Sequence, residues 1–279
     1  MRIDGHQHFW RVDRGDYHWM SPAVATLHRD YLPADLIPSL KKHEICRTIL
    51  VQAAQTTGET DFLLELAAQH EFIAGVVGWL DLASPDFASH FGRYRENPKF
   101  VGLRPMLQDL EDDAWILRPN VLQSLRIIAE ADFPFEFLTY PRHLPYVAEA
   151  LDEVGEMRAI IDHISKPDIK HHKLEPWQSS IEQIAEHKSL FCKLSGMITE
   201  ADYSDWTPDD LQPYIDHAVD CFGWDRVIFG SDWPVCLLAG TYEQVLEAVC
   251  NVLRPRMNQD AERKLFGLNA MQFYKLSLT

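Results

Sequence analysis

Long apolar runs are missing from this sequence. The longest, Phe72 to Leu80, is broken by Gly75 and Gly78 and has about half of the roughly 20 residues that a membrane-spanning helix needs. The N-terminus, MRIDGHQHFW, holds no apolar leader stretch. The expectation is a cytoplasmic protein with no membrane partner. Basic clusters are missing too. No run of Lys and Arg exceeds two residues, and 26 Lys+Arg stand against 42 Asp+Glu, a net charge of −16 with 13 His counted as neutral. Binding a nucleic-acid backbone takes clustered cations that displace its counterions, so no nucleic-acid partner is expected. The acidic excess reads as solubility carried on outer helices. Cysteine is scarce and odd in number: Cys46, Cys192, Cys221, Cys236 and Cys250, with no CxxC. That excludes a full disulfide framework and a zinc ribbon, and points to reduced thiols. Neither GxGxxG nor GxxxxGK[ST] occurs, which weakens the nucleotide-binding folds. There is no repeat, no low-complexity segment and no linker.

What is present is an alternation. Short apolar runs begin at Ile3 and recur at Cys46–Gln52, Ile73–Leu80, Phe100–Leu103, Phe133–Leu138, Arg158–Asp162, Leu190–Leu194 and Arg226–Phe229. Runs of this length bounded by Gly and Pro suit strands buried on both faces. Amphipathic stretches lie between them: Glu59–Gln69, Asn120–Ala131, Pro176–His187, Pro208–Phe222 and Thr241–Leu253. Thr207-Pro208-Asp209-Asp210 has the chemistry of a helix N-terminus. Length alone suggests about two domains, but eight strand–helix units predict one α/β (β/α)8 TIM barrel spanning residues 1–279. A doubly wound open sheet is the competitor. Arg11–Tyr31 and Lys170–Trp177 read as long loops.

Polar residues gather where strands end, which in a barrel is the active face. His6 and His8 are two apart on an extended chain, so both imidazoles face one volume. The last run ends VIFGSDWP and sets Asp232 at the same mouth, next to the first strand in a closed barrel. Imidazoles and a carboxylate suit a divalent transition metal and equally a general base. A turn or helix cap is the plainer reading of Asp232. In RAIIDHISKP, His163 is expected to face the mouth and Asp162 a helix, with Lys166 on the rim where an anionic group could meet it. Arg104 ends the fourth run, where a guanidinium would repel a second cation but suits a carboxylate or a developing oxyanion. The fifth run offers Glu136, Thr139 and Tyr140, and a Glu136–Arg104 pair across adjacent strands is open. Of Trp10, Trp79, Trp115, Trp206 and Trp233, the better candidates to stack on a ligand ring are Trp206 and Trp233, although Trp is more often core.

DGHQHFW, VGLRPMLQD, WILRPNVL, PRHLP, DHISKPDI, CKLSGMITEADYSDWT, FGSDWPVCLLA and LFGLNAMQFY together resemble the amidohydrolase superfamily. More narrowly they resemble its amidohydrolase-2 branch of sugar lactonases, proteins like the L-fuconolactone and L-rhamnonolactone hydrolases. The likeness runs from residue 3 to about 276. It implies a barrel with His6, His8, His163 and Asp232 at the mouth as metal ligands, and ester hydrolysis of a small sugar lactone. Asp232 would take the proton of the attacking water, while Arg104 and the histidines, His163 among them, polarise the carbonyl. Glu136, Tyr140, Lys166, Trp206 and Trp233 would contact the substrate. The chain departs from the wider superfamily in carrying Glu136 where metal-dependent members usually have a fifth-strand His. One divalent ion, zinc first, is therefore expected as a cofactor that activity need not require. A decarboxylase or lyase on the same barrel and a non-catalytic binding protein are the alternatives. A homo-oligomer is left open.

Overall fold

The apolar runs fold as eight short strands: β1 (Arg2–Gln7), β2 (Ile45–Val51), β3 (Ile73–Gly78), β4 (Phe100–Leu103), β5 (Phe135–Phe137), β6 (Ala159–Ile161), β7 (Leu190–Leu194) and β8 (Val227–Phe229). The computed structural model describes residues 1–277, so the last two positions of the 1–279 domain lie outside the described residues. Each strand pairs in parallel with the next, in the order β1 to β8. A doubly wound sheet would reverse direction at a switch point, and this one does not. The ring closes just beyond β8. The Asp232 N–H donates to His6 O at 2.9 Å and the His8 N–H to Trp233 O at 2.7 Å. Gly230 permits that approach, because a Cβ there would sit 2.5 Å from His6 Cβ.

Eight helices connect and surround the strands: α1 (Pro33–Lys42), α2 (Thr57–Gln69), α3 (Phe87–Tyr94), α4 (Pro119–Glu130), α5 (Leu144–Val154), α6 (Trp177–Ile184), α7 (Pro208–Phe222) and α8 (Tyr242–Leu253). Their starts follow local chemistry. Thr56 Oγ1 accepts from Glu59 N at 3.0 Å to cap α2, and Thr207 with Asp210 forms a capping box at α7 with Pro208 at its first position. The sequence pattern does not delimit α1, α3 and α5. These carry prolines or few apolar positions and are fixed by packing on the barrel. Among the described residues no helix is long and apolar enough to cross a membrane, and all five cysteines are free.

The main core lies between strands and helices. A second apolar layer fills the lower barrel, where Ile3, Ile49, Val77, Ile160, Phe191 and Ile228 meet Phe273 and Tyr274 of the C-terminal helical segment. The upper barrel is therefore free to hold polar groups. The long Arg11–Tyr31 loop covers part of the mouth. Its base is clamped by paired backbone bonds between Trp10 and Tyr31, at 2.9 and 3.0 Å, and its tip by Trp19 Nε1–H donating to Ala53 O at 2.6 Å.

Candidate active site

The closing seam between β1 and the segment after β8 sets three groups together. His6 Nε2 and His8 Nε2 are 3.2 Å apart, closer than a regular strand brings i and i+2, because the β1–β2 register shifts between Asp4 and Gln7. Asp232 Oδ1 lies 3.2 Å from His8 Nε2 and 3.7 Å from His6 Nε2. Buried Asp4 ties the seam beneath them. It accepts from His6 N at 3.1 Å, Ser231 N at 2.9 Å and the Tyr242 hydroxyl at 3.1 Å. Asp4 was not singled out from the sequence. An acidic residue in mid-strand of a barrel was the available signal.

β6 corrects one expectation. Asp162 does not face a helix. Both Asp162 and His163 point into the barrel and are buried. Strand alternation turns Asp162 inward after Ile160. His163 then follows because the next four residues, His163 to Lys166, take left-handed φ values of 46–61° and swing the chain over the mouth. Such a run is strained, and neighbours hold it. Trp177 Nε1–H donates to Ile164 O at 2.6 Å, and the Thr139 and Ser165 hydroxyls bond at 2.9 Å. His163 Nδ1 meets Ser195 Oγ at 2.8 Å, and its Nε2 lies 3.9 Å from Asp232 Oδ1. Gly196, at φ 61°, leaves the space, since a Cβ there would be 2.5 Å from His163 Nδ1.

Beneath this group is an ionic layer built around Lys193 of β7, which the sequence reading passed over. A lysine inside the buried run LFCKL was its signal, because a charge there survives only when paired. Lys193 Nζ is 2.6 Å from Glu136 Oε2, 3.0 Å from Asp162 Oδ1 and 3.1 Å from His6 Nδ1. Glu136 also accepts from the Tyr274 hydroxyl. Glu136 is fully buried and does not line the mouth, so the expected substrate contact is absent, and so is the Glu136–Arg104 pair. Arg104 instead donates from Nη1 to Asp162 Oδ2 at 3.0 Å and from Nη2 to Gln52 O. The physical reason is reach: inward-facing Lys193 is adjacent to Glu136 and takes its charge, while Asp162 takes that of Arg104.

The mouth itself is a cavity of about 390 Å³. His8, His163, Asp232 and Arg104 form its floor, and Tyr140 and Lys166 stand on one wall. Trp206 and Trp233 are elsewhere. Trp233 is buried, its ring edge-on to Phe9 and Tyr31 at 5.9 and 5.1 Å. Trp206 donates to Ala239 O at 2.8 Å and borders a separate surface hollow. Both rings were drawn into packing by the loops after β7 and β8. Glu200, unmarked in the sequence, lines the mouth as well. Arg104 and Lys166 against Asp232 and Glu200 make the lining neutral.

The amidohydrolase family model matches residues 3–276. The chain belongs to the amidohydrolase family. Over its whole length it is similar to an L-fucono-1,5-lactonase of Burkholderia ambifaria, with 39% identity covering 99% of this chain and 96% of the relative. An L-fucono-1,5-lactonase of Burkholderia multivorans is 36% identical over the same shares. The crystal structure of an amidohydrolase from Burkholderia multivorans with bound zinc superimposes with a TM-score of 0.94, at 35% identity and 99% coverage of both chains.

The donor set of this amidohydrolase fits a divalent ion. His6, His8 and Asp232 offer three ligand atoms within 4.8 Å of one another. Their separations of 3.2, 3.2 and 3.7 Å bracket the roughly 3.3 Å between donors about 2.0–2.1 Å from a tetrahedral zinc. His8 Nδ1 lies 2.8 Å from Val51 O, an acceptor, so Nδ1 carries the proton and Nε2 presents a lone pair to the site. His6 is less committed. Its Nδ1 faces both Lys193 Nζ at 3.1 Å and Asp162 Oδ1 at 3.6 Å. With Lys193 donating, His6 Nε2 carries a proton toward His8 Nε2; with Asp162 accepting, His6 Nε2 becomes a ligand.

Electrostatics follow from burial. Burial draws the Asp232 carboxyl upward, but the imidazoles of His163, His8 and His6 outweigh it and hold it below the usual carboxylate range. Burial also lowers His163 to about 4, against the pull of Asp232 and Asp162, so it is neutral at pH 7. Burial and then Lys193 push His6 down as well.

Proposed function

We propose that this amidohydrolase opens the ester bond of a small cyclic sugar lactone to the sugar acid, with an L-fucono-type aldonolactone as the first substrate to test. The observation that carries the reading is Asp232. Among the described residues no Lys or Arg pairs with it; its ion-pair partners are three imidazoles, at the floor of a cavity roomy enough for one sugar ring. A carboxylate in that setting is ionised and accessible, and serves as the general base for the attacking water. Base catalysis contributes about 10²–10⁴-fold. Neutral His163 orients the carbonyl or passes the proton on to the ring oxygen as the ester C–O bond breaks. Arg104 has three of its five N–H groups engaged, by Asp162, by His6 Nε2 at 3.5 Å and by Gln52 O. Those remaining on the cavity side favour the developing oxyanion. The hydroxide attacks the lactone carbonyl carbon, and the ring oxygen leaves as the alcohol of the open-chain acid.

A divalent ion on His6, His8 and Asp232 would polarise the carbonyl and lower the pKa of bound water. A lactone is an activated ester, so that help is an addition to the carboxylate and not a requirement. Glu136 turned onto Lys193 leaves β5 without a ligand at the mouth, which weighs against the lyase reading. The test is a panel of aldonolactones followed by acid release, with and without chelator. Turnover of at least one lactone, with more than about a tenth of the rate kept after chelation, is the expected result, given the share a carboxylate base supplies. A blank panel would sink the hydrolase reading.

A further inference from the structure

Lys166 and Glu200 stand on one wall of the mouth without completing each other. Nζ and Oε1 are 3.9 Å apart, with the side chains only 17% and 21% exposed. At that distance neither has a hydrogen-bond partner among the described residues. Ion pairs beside them do close, Lys170 with Asp202 at 3.1 Å and Lys173 with Asp168 at 2.9 Å. The charged atoms of Lys166 and Glu200 open onto the mouth rather than being sealed in the core, so both are free to take a ligand there. Both residues are anchored by backbone bonds. Lys166 sits at φ 50° with its N–H on His163 O at 2.8 Å, while Glu200 is held by its N–H on Met197 O at 3.1 Å and by Lys170 N–H on its carbonyl at 2.9 Å. Apolar side chains make up much of the rest of the lining, among them Met20, Val24, Leu27, Val235 and Leu238.

A cavity that combines apolar lining with a pair of open charges matches a ring that carries both hydroxyl groups and bare or methylated carbon. We infer that Glu200, with Lys166, is the specificity-determining grip on the hydroxyl groups of a neutral polyhydroxylated ring. The inference rests on the lactone reading above. Two neighbouring hydroxyls donate to the Glu200 carboxylate, and Lys166 donates to a third oxygen. Neither group reaches the ester carbon, so both act on binding and not on the chemical step. A ring bearing its own carboxylate beside those hydroxyls would meet the Glu200 charge and be refused.

The experiment compares L-fuconolactone with δ-valerolactone, which has the same ester and no hydroxyls, on wild type, Glu200→Leu and Glu200→Gln. Glu200→Leu should lower kcat/KM for the sugar lactone by about 10- to 100-fold through KM, the range for losing hydrogen bonds to a charged group. δ-Valerolactone should change by less than about threefold, and Glu200→Gln should recover part of the loss. Equal effects on both lactones, or none, would overturn the inference. Should wild type open neither lactone, the hydrolase reading fails by itself, and titration with 1,5-anhydro-L-fucitol, a ring with nothing to hydrolyse, decides the grip. Affinity at least about tenfold weaker in Glu200→Leu upholds it, and equal affinity overturns it.

Discussion

Two polar clusters lie one above the other in this barrel and follow opposite rules. In the lower one, Lys193 meets Glu136 and Asp162, and Arg104 meets Asp162. Every charge there has a countercharge, and Lys193, Glu136 and Asp162 are fully buried. In the upper one, Asp232 meets three imidazoles, and burial keeps those of His6 and His163 from charging easily. Among the described residues it has no Lys or Arg partner. A matched buried cluster resists change, because losing one partner strands the other. An unmatched cluster at a cavity floor is available for a proton, a metal ion or a substrate. The lower cluster is the platform on which the upper one is held.

That contrast can be broken in a definite order. Lys193→Met should do the most to the fold, stranding Glu136 and Asp162 and lowering the unfolding free energy by about 3–5 kcal/mol. Urea denaturation measures it, and a loss under about 1 kcal/mol would show that the layer is not the platform. Gly196→Ala should cost less, about 1–3 kcal/mol for a side chain at left-handed φ. It should also cut turnover by about tenfold or more by pushing His163 aside. Steady-state kinetics at a temperature where the variant is folded checks this, and unchanged turnover would remove His163 from the mechanism. The smallest effect is expected from pH. Burial sets His163 at about 4, so it gains a proton only as pH falls through that value, and activity is lost on the acid side. The chelated enzyme should therefore show a flat kcat/KM from about pH 5 to about pH 8. A half-maximum near the ordinary histidine value of about 6.5 would mean that an imidazole of the upper cluster titrates as if exposed.

The upper cluster was easier to see in the sequence than the lower one. His6, His8 and Asp232 sit at strand ends beside Gly and Pro, where polar residues have no packing role to explain them. Lys193 and Glu136 sit inside strands and Asp162 directly after one, where pattern reading assigns a face but not a partner. Alternation along β6 turns Asp162 inward, and four left-handed residues in a row then bring His163 in beside it, a backbone path that no periodicity signals. Trp206 and Trp233 follow strand ends just as Asp232 does, yet their rings fold back into packing, which loop geometry alone decides. The eight-strand barrel itself was legible, because runs bounded by Gly and Pro at regular spacing leave few topologies. The helices α1, α3 and α5 were not: α1 contains Pro38, α3 has only eight residues, and Pro141 and Pro145 blur where α5 starts.

The central claim is that the unmatched carboxylate does the chemistry. Its most direct test is Asp232→Asn, which keeps the shape and removes the base, assayed for sugar-lactone opening beside its thermal melting. The account predicts that kcat/KM falls at least about 100-fold while the melting temperature holds. Near wild-type turnover would contradict it and leave Asp232 as a cap of the seam.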